Sequence, residues 1–313
     1  MILTIGPDNT TGYRKHLEGI SYLMNPDAKY LKVNSKYAEI LPSIQENKPD
    51  FSIIGGRNWI IRNESILKEI PGKKSILFCS PLAQGEISGE EIDNLNLFMD
   101  WLNKGKIDYI FTGSKDLANV IDNKSVIHLP APLIELDFKK SHYSQNKSIA
   151  LLSDHTNHKN VMNAFASLSL SKEVEQIIIN GISPTYSNFL NHFGIQDKIV
   201  NKGKLPYDQY LSTLRESTLL LHPSFSEGFC YTAYEAIMEG TPAIVSGAVN
   251  WISDPRIIIS NPVDVHEMSN KIDSLLKLNE KDYSNLVNKC QDDARKIATI
   301  NNFIVKNNLG DLL

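Results

Sequence analysis

The sequence predicts an α/β protein built as two Rossmann-like halves, each a parallel sheet covered by helices. Three observations carry this reading. Short β-branched or aromatic runs alternate with amphipathic stretches of helical period along the chain. A proline pair and a polar stretch interrupt the alternation near the middle. The 313 residues fill about two domains at roughly 150 residues per domain.

In the first half, Ile2 to Ile5, Phe51 to Ile54, Ser75 to Cys79 and Tyr109 to Thr112 read as buried strands. Between them, Tyr13 to Leu23 sets Leu17, Ile20, Tyr22 and Leu23 near one helical face, and Ile92 to Leu102 repeats Leu95, Phe98, Met99 and Leu102 at helical spacing. Leu129-Pro130-Ala131-Pro132 then ends a strand, and Lys139 to Lys147 has almost no apolar periodicity. The boundary is therefore expected between Leu133 and Asn146, with an N-terminal domain over 1-138 and a C-terminal one over 139-313. In the second half, Ile149 to Leu152, Gln176 to Ile179, Lys198 to Val200, Thr218 to Leu221 and Ala243 to Val245 read as strands. A long amphipathic helix from about Tyr283 to Val305 follows, and it is expected to pack back on the N-terminal domain. Ligands of such sheets bind at the carboxyl ends of the strands, so a cleft between the halves is the expected site.

Composition narrows the class. Hydrophobic residues at 42% and charged residues at 22% are ordinary for a globular protein and exclude a disordered chain or a membrane bundle. The net charge of -4 is spread evenly, 17 basic against 18 acidic residues through position 140 and 15 against 18 beyond it, so neither half is a basic arm for nucleic acid. Cys79, Cys230 and Cys290 are scattered and form no C-x-x-C pair, which excludes a disulfide framework and points to a reducing cytoplasm. Met1 to Ile5 followed by Gly6-Pro7-Asp8 does not read as a signal peptide. No run reaches the ~20 apolar residues of a spanning helix, so any membrane contact is expected to be peripheral.

The stretch from His222 to Pro242 carries the chemistry. A buried strand ends at Leu221, a loop brings Glu227 and Gly228, and a helix is expected from Cys230 or Tyr231 to Gly240. The N-terminus of that helix would aim unpaired amides and the positive dipole end at the crevice, a phosphate site. Gly228 would let a ligand approach the backbone, and Glu235, one turn into the helix, would accept hydrogen bonds from vicinal hydroxyls such as those of a ribose.

Pro223, Ser224, Glu227, Gly228, Phe229, Glu235, Ala236, Gly240 and Pro242 stand in the register P-S-x-x-E-G-F-x-x-x-x-x-E-A-x-x-x-G-x-P. In this the chain resembles the retaining GT-B glycosyltransferases, within them the large group called family 4. The resemblance runs upstream. Gly203-Lys204-Leu205 is similar to the family turn whose backbone holds the nucleobase. Ile177-Ile178-Ile179-Asn180-Gly181 is similar to its strand end, and Leu151 to Asn160 parallels its V-G-R-L-x-x-x-K-N segment. Lys159 is then the implied lysine that neutralises the donor diphosphate. Asp154 stands where the family has an arginine, with His155 or His158 as partial substitutes, and Ser246-Gly247-Ala248-Val249 lacks the usual double glycine. In the first half, Asn9 to Leu17 resembles the glycine-rich loop before the first helix, with Gly12 as the residue carried over. No histidine stands in Leu77 to Glu86, where many relatives place one, and Arg57 reads as solvated.

The resemblance implies a GT-B fold and transfer of a sugar, with retention, from a nucleotide-sugar to an acceptor hydroxyl. Glu227 and Lys159 would be catalytic. Glu235, Gly228, Phe229, Tyr231, Thr232, Gly12, Gly203, Lys204 and Leu205 would bind the donor, expected to be a UDP- or GDP-sugar, with no cofactor. No D-x-D motif is present, so the transfer is expected to be metal-independent, and Asp154, His155 and His158 lack a strong further ligand. Cys230 is assigned to packing, because no histidine lies close in sequence to act as its base. The acceptor is open among glycan, lipid, protein and modified nucleic acid. The alternatives are a catalytically weak GT-B subunit that binds a glycan or partner enzyme, and a sugar-nucleotide epimerase of the same fold.

Overall fold

The computed structural model describes residues 2–7, 11–24, 29–33, 41–55, 57–87, 89–134, 137–143, 146–153, 156–182 and 184–312. The chain forms two compact units, Met1–Glu135 with Ala298–Leu313, and Leu136–Ile297.

The first unit runs β1 (Ile2–Pro7), α1 (Thr11–Met24), β2 (Lys29–Val33), α2 (Leu41–Asn47), β3 (Phe51–Ile54), α3 (Arg57–Arg62), β4 (Lys73–Phe78), α4 (Leu82–Ile87), α5 (Gly89–Asn103), β5 (Tyr109–Thr112), α6 (Lys115–Val120) and β6 (Val126–His128). The strands pair in parallel in the order β2-β1-β3-β4-β5-β6. Successive side chains of a strand leave opposite faces, and both faces of this sheet are covered. Leu3, Ile5, Ile54, Ile76, Phe78 and Ile110 pack with Phe98 and Trp101 of α5. Ile2, Ile53, Leu77 and Phe111 pack with Leu17 and Ile20 of α1 and with Val305 and Leu309 of the C-terminal helix.

The second unit runs β7 (Ser148–Leu151), α7 (Val161–Leu170), β8 (Gln176–Ile179), α8 (Pro184–Phe193), β9 (Ile199–Asn201), α9 (Tyr207–Glu216), β10 (Leu219–His222), α10 (Tyr231–Met238), β11 (Ala243–Ser246), β12 (Ile258–Ile259), α11 (Val265–Leu276) and the first part of α12 (Glu280–Gly310), whose residues from Ala298 onward belong to the first unit. Its parallel order is β12-β11-β10-β7-β8-β9. From β7 the chain builds outward to β9, then returns to place β10 on the other side of β7 and builds outward to β12. The reversal makes the β7/β10 junction the topological switch point, where open α/β sheets bind ligands beyond the strand ends.

The α/β reading holds in both units, with two strands, β2 and β12, unforeseen. β2 is an edge strand, Lys29-Tyr30-Leu31-Lys32-Val33, whose lysines break the apolar run and suit an edge. β12 also lies at a sheet edge and has two residues, below the length that gives a period, whereas β6, likewise at an edge, ends at His128, where Leu129-Pro130 marks a strand end. β4 begins at Lys73, two residues before the expected apolar run, and its first two positions are not buried. Gly12 was expected in a loop before the first helix. It lies within α1, which begins at Thr11, and a Cβ built there meets nothing within 4 Å. Among the described residues, no helix is long and apolar enough to cross a membrane.

Gly240 closes α10, its amide donating to Ile237 O at 3.1 Å. Its φ is +85°, and an added Cβ would lie 2.5 Å from Lys140 O. Gly240→Ala therefore incurs the left-handed penalty of about 1–2 kcal/mol and a backbone clash besides. A loss of at least about 2 kcal/mol in chemical denaturation is expected.

Candidate active site

The site begins with β10, whose four residues Leu219–His222 are all buried between β11 and β7. His222 ends the strand only 3% exposed. The chain leaving it is pinned from both sides. Asn160 Nδ2 donates to Pro223 O at 3.0 Å and also to Pro262 O, and Phe225 N donates to His158 O at 2.7 Å. Ser246 Oγ, at the end of β11, donates to Ser224 O. Because β7 and β10 are neighbours in register, Leu219 opposite Ile149, the segments that follow them emerge side by side.

That adjacency brings Lys159 and Glu227 together across 68 positions. Lys159 Nζ donates to Glu227 Oε1 at 2.8 Å, with side-chain exposures of 16% and 7%. His222 Nε2 lies 2.6 Å from the same oxygen, and Ser224 Oγ lies 3.2 Å from His222 Nε2. Burial disfavours a charged imidazole, but the Cys230 sulfur and the Glu227 carboxylate favour it, and His222 is pushed up to about 10. Burial alone would raise Glu227. The positive charge of His222, then that of Lys159, outweighs it and holds the carboxyl well below the usual range. Lys159, whose ammonium reaches this cluster, supplies a cation that suits an anionic ligand.

α10 starts beside this cluster. Cys230 precedes it with φ 69° and ψ 69°, and no side chain caps the helix. Gly228, the glycine the sequence offers, is absent from the left-handed positions; the strained residue of the loop is Cys230. Phe229 stacks on Trp251 at 5.6 Å and 14°, and Trp251 Nε1 donates to Phe229 O at 2.8 Å. Phe229 is thus held in an aromatic cluster with Tyr231 and Tyr234. One turn along, Glu235 is 6% exposed and accepts from Tyr207 Oη at 3.1 Å. Thr232 is hydrogen-bonded to the buried phenol of Tyr210, which burial pushes above its ordinary value. Gly203 has φ +66°, a left-handed turn that favours glycine, and its amide donates to Asn201 Oδ1 at 3.0 Å. Lys204 is exposed and Leu205 half-buried beside it.

The structure therefore gathers Glu227 with Lys159, and Glu235 with Tyr207, in the second unit, while Gly12 belongs to the first. Asp154 and His155 lie outside the described residues, and so does the side chain of Arg57. Two residues were missed. His222 opens the stretch that follows the strand expected to end at Leu221 and carries no role in the sequence reading, and only the return of the chain at Glu227 makes it a partner. Tyr207 lies 28 positions from Glu235, and no periodicity links them. Cys230 is buried, as its assignment to packing expects, but the reason given for that assignment does not hold: His222, Glu227 and Cys230 each offer a donor atom, and these lie within 4.8 Å of one another. The fold, not the sequence spacing, supplies the histidine. In the first unit a histidine also reaches the end of β4 from elsewhere, His16 Nδ1 standing 3.5 Å from Cys79 Sγ, and burial lowers it to about 4.

Comparison with known proteins bears on this site. The model of the family "Glycosyl transferases group 1" matches residues 139–296. Among solved structures, HepE from Anabaena in complex with UDP-glucose superposes with a TM-score of 0.76 at 12% identity, covering 99% of each chain. A glycosyltransferase from Rickettsia africae gives 0.67 at 17% identity, over 99% of this chain and 96% of that one. TarM from S. aureus, solved with fondaparinux, alpha-GlcNAc-glycerol and UDP, gives 0.69 at 14% identity over 86% of this chain, which spans only 57% of TarM. These likenesses establish the GT-B fold. A search of curated protein sequences finds no match.

The charge cluster sets a pH dependence. His222 is raised above its unfolded value of 6.5, so its contribution is full below about 6.5 and is lost as pH rises through about 10. Glu227 is lowered, so its contribution is present above the unfolded carboxyl value and lost as pH falls through the depressed one. Glu227→Gln should remove the acid limb and weaken the alkaline one, since the Cys230 sulfur still faces His222. The gap in denaturation midpoint between wild type and variant is expected to be widest near pH 6 and to shrink toward pH 10.

Proposed function

The chain belongs to the glycosyl transferases group 1, and we propose that it transfers a sugar from a nucleotide-diphosphate sugar to an acceptor hydroxyl with retention of configuration. The observation that carries the reading is the buried Lys159–Glu227–His222 cluster at the switch point of the second sheet. The binding of UDP-glucose by HepE supports a UDP-sugar as donor.

In this reading the donor diphosphate lies at the N-terminus of α10, facing the amides about Tyr231 and Thr232. Lys159 moves from Glu227 to the phosphate oxygens. As the bond from the anomeric carbon to the diphosphate breaks, charge grows on the departing oxygen, and the fixed ammonium and amides stabilise it without reorganising. No metal is required for that role. Glu227, still ionised through His222, accepts from hydroxyls of the donor sugar. Glu235, oriented by Tyr207, holds the ribose, and the backbone of Gly203, Lys204 and Leu205 holds the base. The acceptor oxygen bonds to the anomeric carbon and its proton passes to the leaving diphosphate, so no protein base is needed. The first unit carries the acceptor. A cytoplasmic setting fits three cysteines without a disulfide.

UDP-, GDP- and ADP-sugars are screened for thermal stabilisation, with the UDP-sugar expected to raise the midpoint with the logarithm of its concentration above Kd. Lys159→Ala is expected to lower turnover by about 100-fold, the usual loss on removing one stabiliser of the developing charge. Glu235→Ala is expected to weaken donor binding by about tenfold or more, the worth of a charged hydrogen bond. Unchanged kinetics in both variants would overturn these roles.

A further inference from the structure

We propose that His222, Glu227 and Cys230 form a binding site for a thiophilic divalent cation of the zinc class, and that zinc occupying it competes with the donor. An imidazole, a carboxylate and a thiol are three of the ligand types zinc takes, and they converge here from the end of β10, the loop and the cap of α10. Each side chain is at least nine-tenths buried, at 3%, 7% and 5% exposure, so the donor atoms are held rather than solvated. Gly228, between two of the ligands, is exposed and gives the ion a path.

The geometry needs only small movements. Zinc bonds of about 2.0–2.3 Å in tetrahedral array separate ligand atoms by roughly 3.3–3.7 Å. The three atoms now lie within 4.8 Å of one another, and His222 Nε2 and Glu227 Oε1, at 2.6 Å, must part by less than about 1 Å. Coordination takes a bare imidazole nitrogen and a thiolate, so the protons they carry leave to solvent. It also takes the Glu227 oxygen that Lys159 holds at 2.8 Å, so the ammonium is displaced. The protein supplies three ligands and water the fourth.

Cys230 supplies the soft ligand that selects a zinc-class ion over a hard one. Its φ of 69° is a backbone state that favours glycine, yet a cysteine stands there, with its sulfur against His222. The competition with donor rests on the reading of Glu227 and Lys159 given above, whereas the metal site itself does not.

Cobalt(II) serves as the probe, because a cysteine ligand gives it a near-ultraviolet charge-transfer band and tetrahedral geometry gives it visible bands. Wild-type protein is titrated beside Cys230→Gly, which keeps the left-handed backbone, Cys79 and Cys290. One equivalent is expected to bind wild type at micromolar cobalt with both sets of bands, and zinc to bleach them. In Cys230→Gly, shown folded by circular dichroism, the charge-transfer band should vanish. No band in wild type at millimolar cobalt, or the same band in Cys230→Gly, overturns the proposal. Zinc is then expected to weaken UDP-sugar binding at least tenfold in wild type and less than twofold in Cys230→Gly. A donor titration indifferent to zinc beside an intact cobalt signal would uphold the metal site and contradict the donor reading.

Discussion

A single buried carboxylate shared by two cationic groups organises the second unit. Glu227 Oε1 meets Lys159 Nζ at 2.8 Å and His222 Nε2 at 2.6 Å, and none of the three is more than 16% exposed. Charges withdrawn from water are tolerated only where each finds a partner, and removing one partner from a buried pair typically costs about 3–5 kcal/mol. The cluster therefore constrains its surroundings. It requires β7 beside β10, a loop that returns Glu227 under His222, and a turn after β7 that delivers Lys159. An anion arriving there meets a site whose positive charge has already been desolvated.

Two left-handed residues fix those arrivals. Asn160, φ 58°, ends the turn holding Lys159 and starts α7, and Cys230, φ 69°, starts α10. Asn160 spends its amide on Pro223 O and Pro262 O, which ties the β7 exit to the β10 exit. Strain of this kind persists where the neighbours over-determine it, and it collects at sites that bind. Tyr207 does for Glu235 what His222 does for Glu227, reaching from α9 to orient a buried carboxylate on α10.

The legible parts of the sequence are those whose signal is local. Buried central strands such as Phe51–Ile54 and Ala243–Ser246 are continuous apolar runs because both faces are covered, and they fell where the runs predicted. Lys29–Val33 and Ile258–Ile259 were not legible, since edge strands carry charge or are too short to show a period. Glu227, Glu235 and Lys159 were legible as residue types in a register. The partners His222 and Tyr207 were not, because the contact is made by the chain's return rather than by spacing. Gly12 shows the converse: its type suggested a loop, while the backbone there is an ordinary helix that asks nothing of glycine.

The shared carboxylate is most directly tested by a double-mutant cycle on stability, with Lys159→Met, Glu227→Gln and the double variant compared with wild type in chemical denaturation at pH 7. Lys159 and Glu227 are expected to couple by about 2 kcal/mol, the double variant losing less than the sum of the singles. Additivity to within about 0.5 kcal/mol would contradict a buried ion pair as the element on which the site is built.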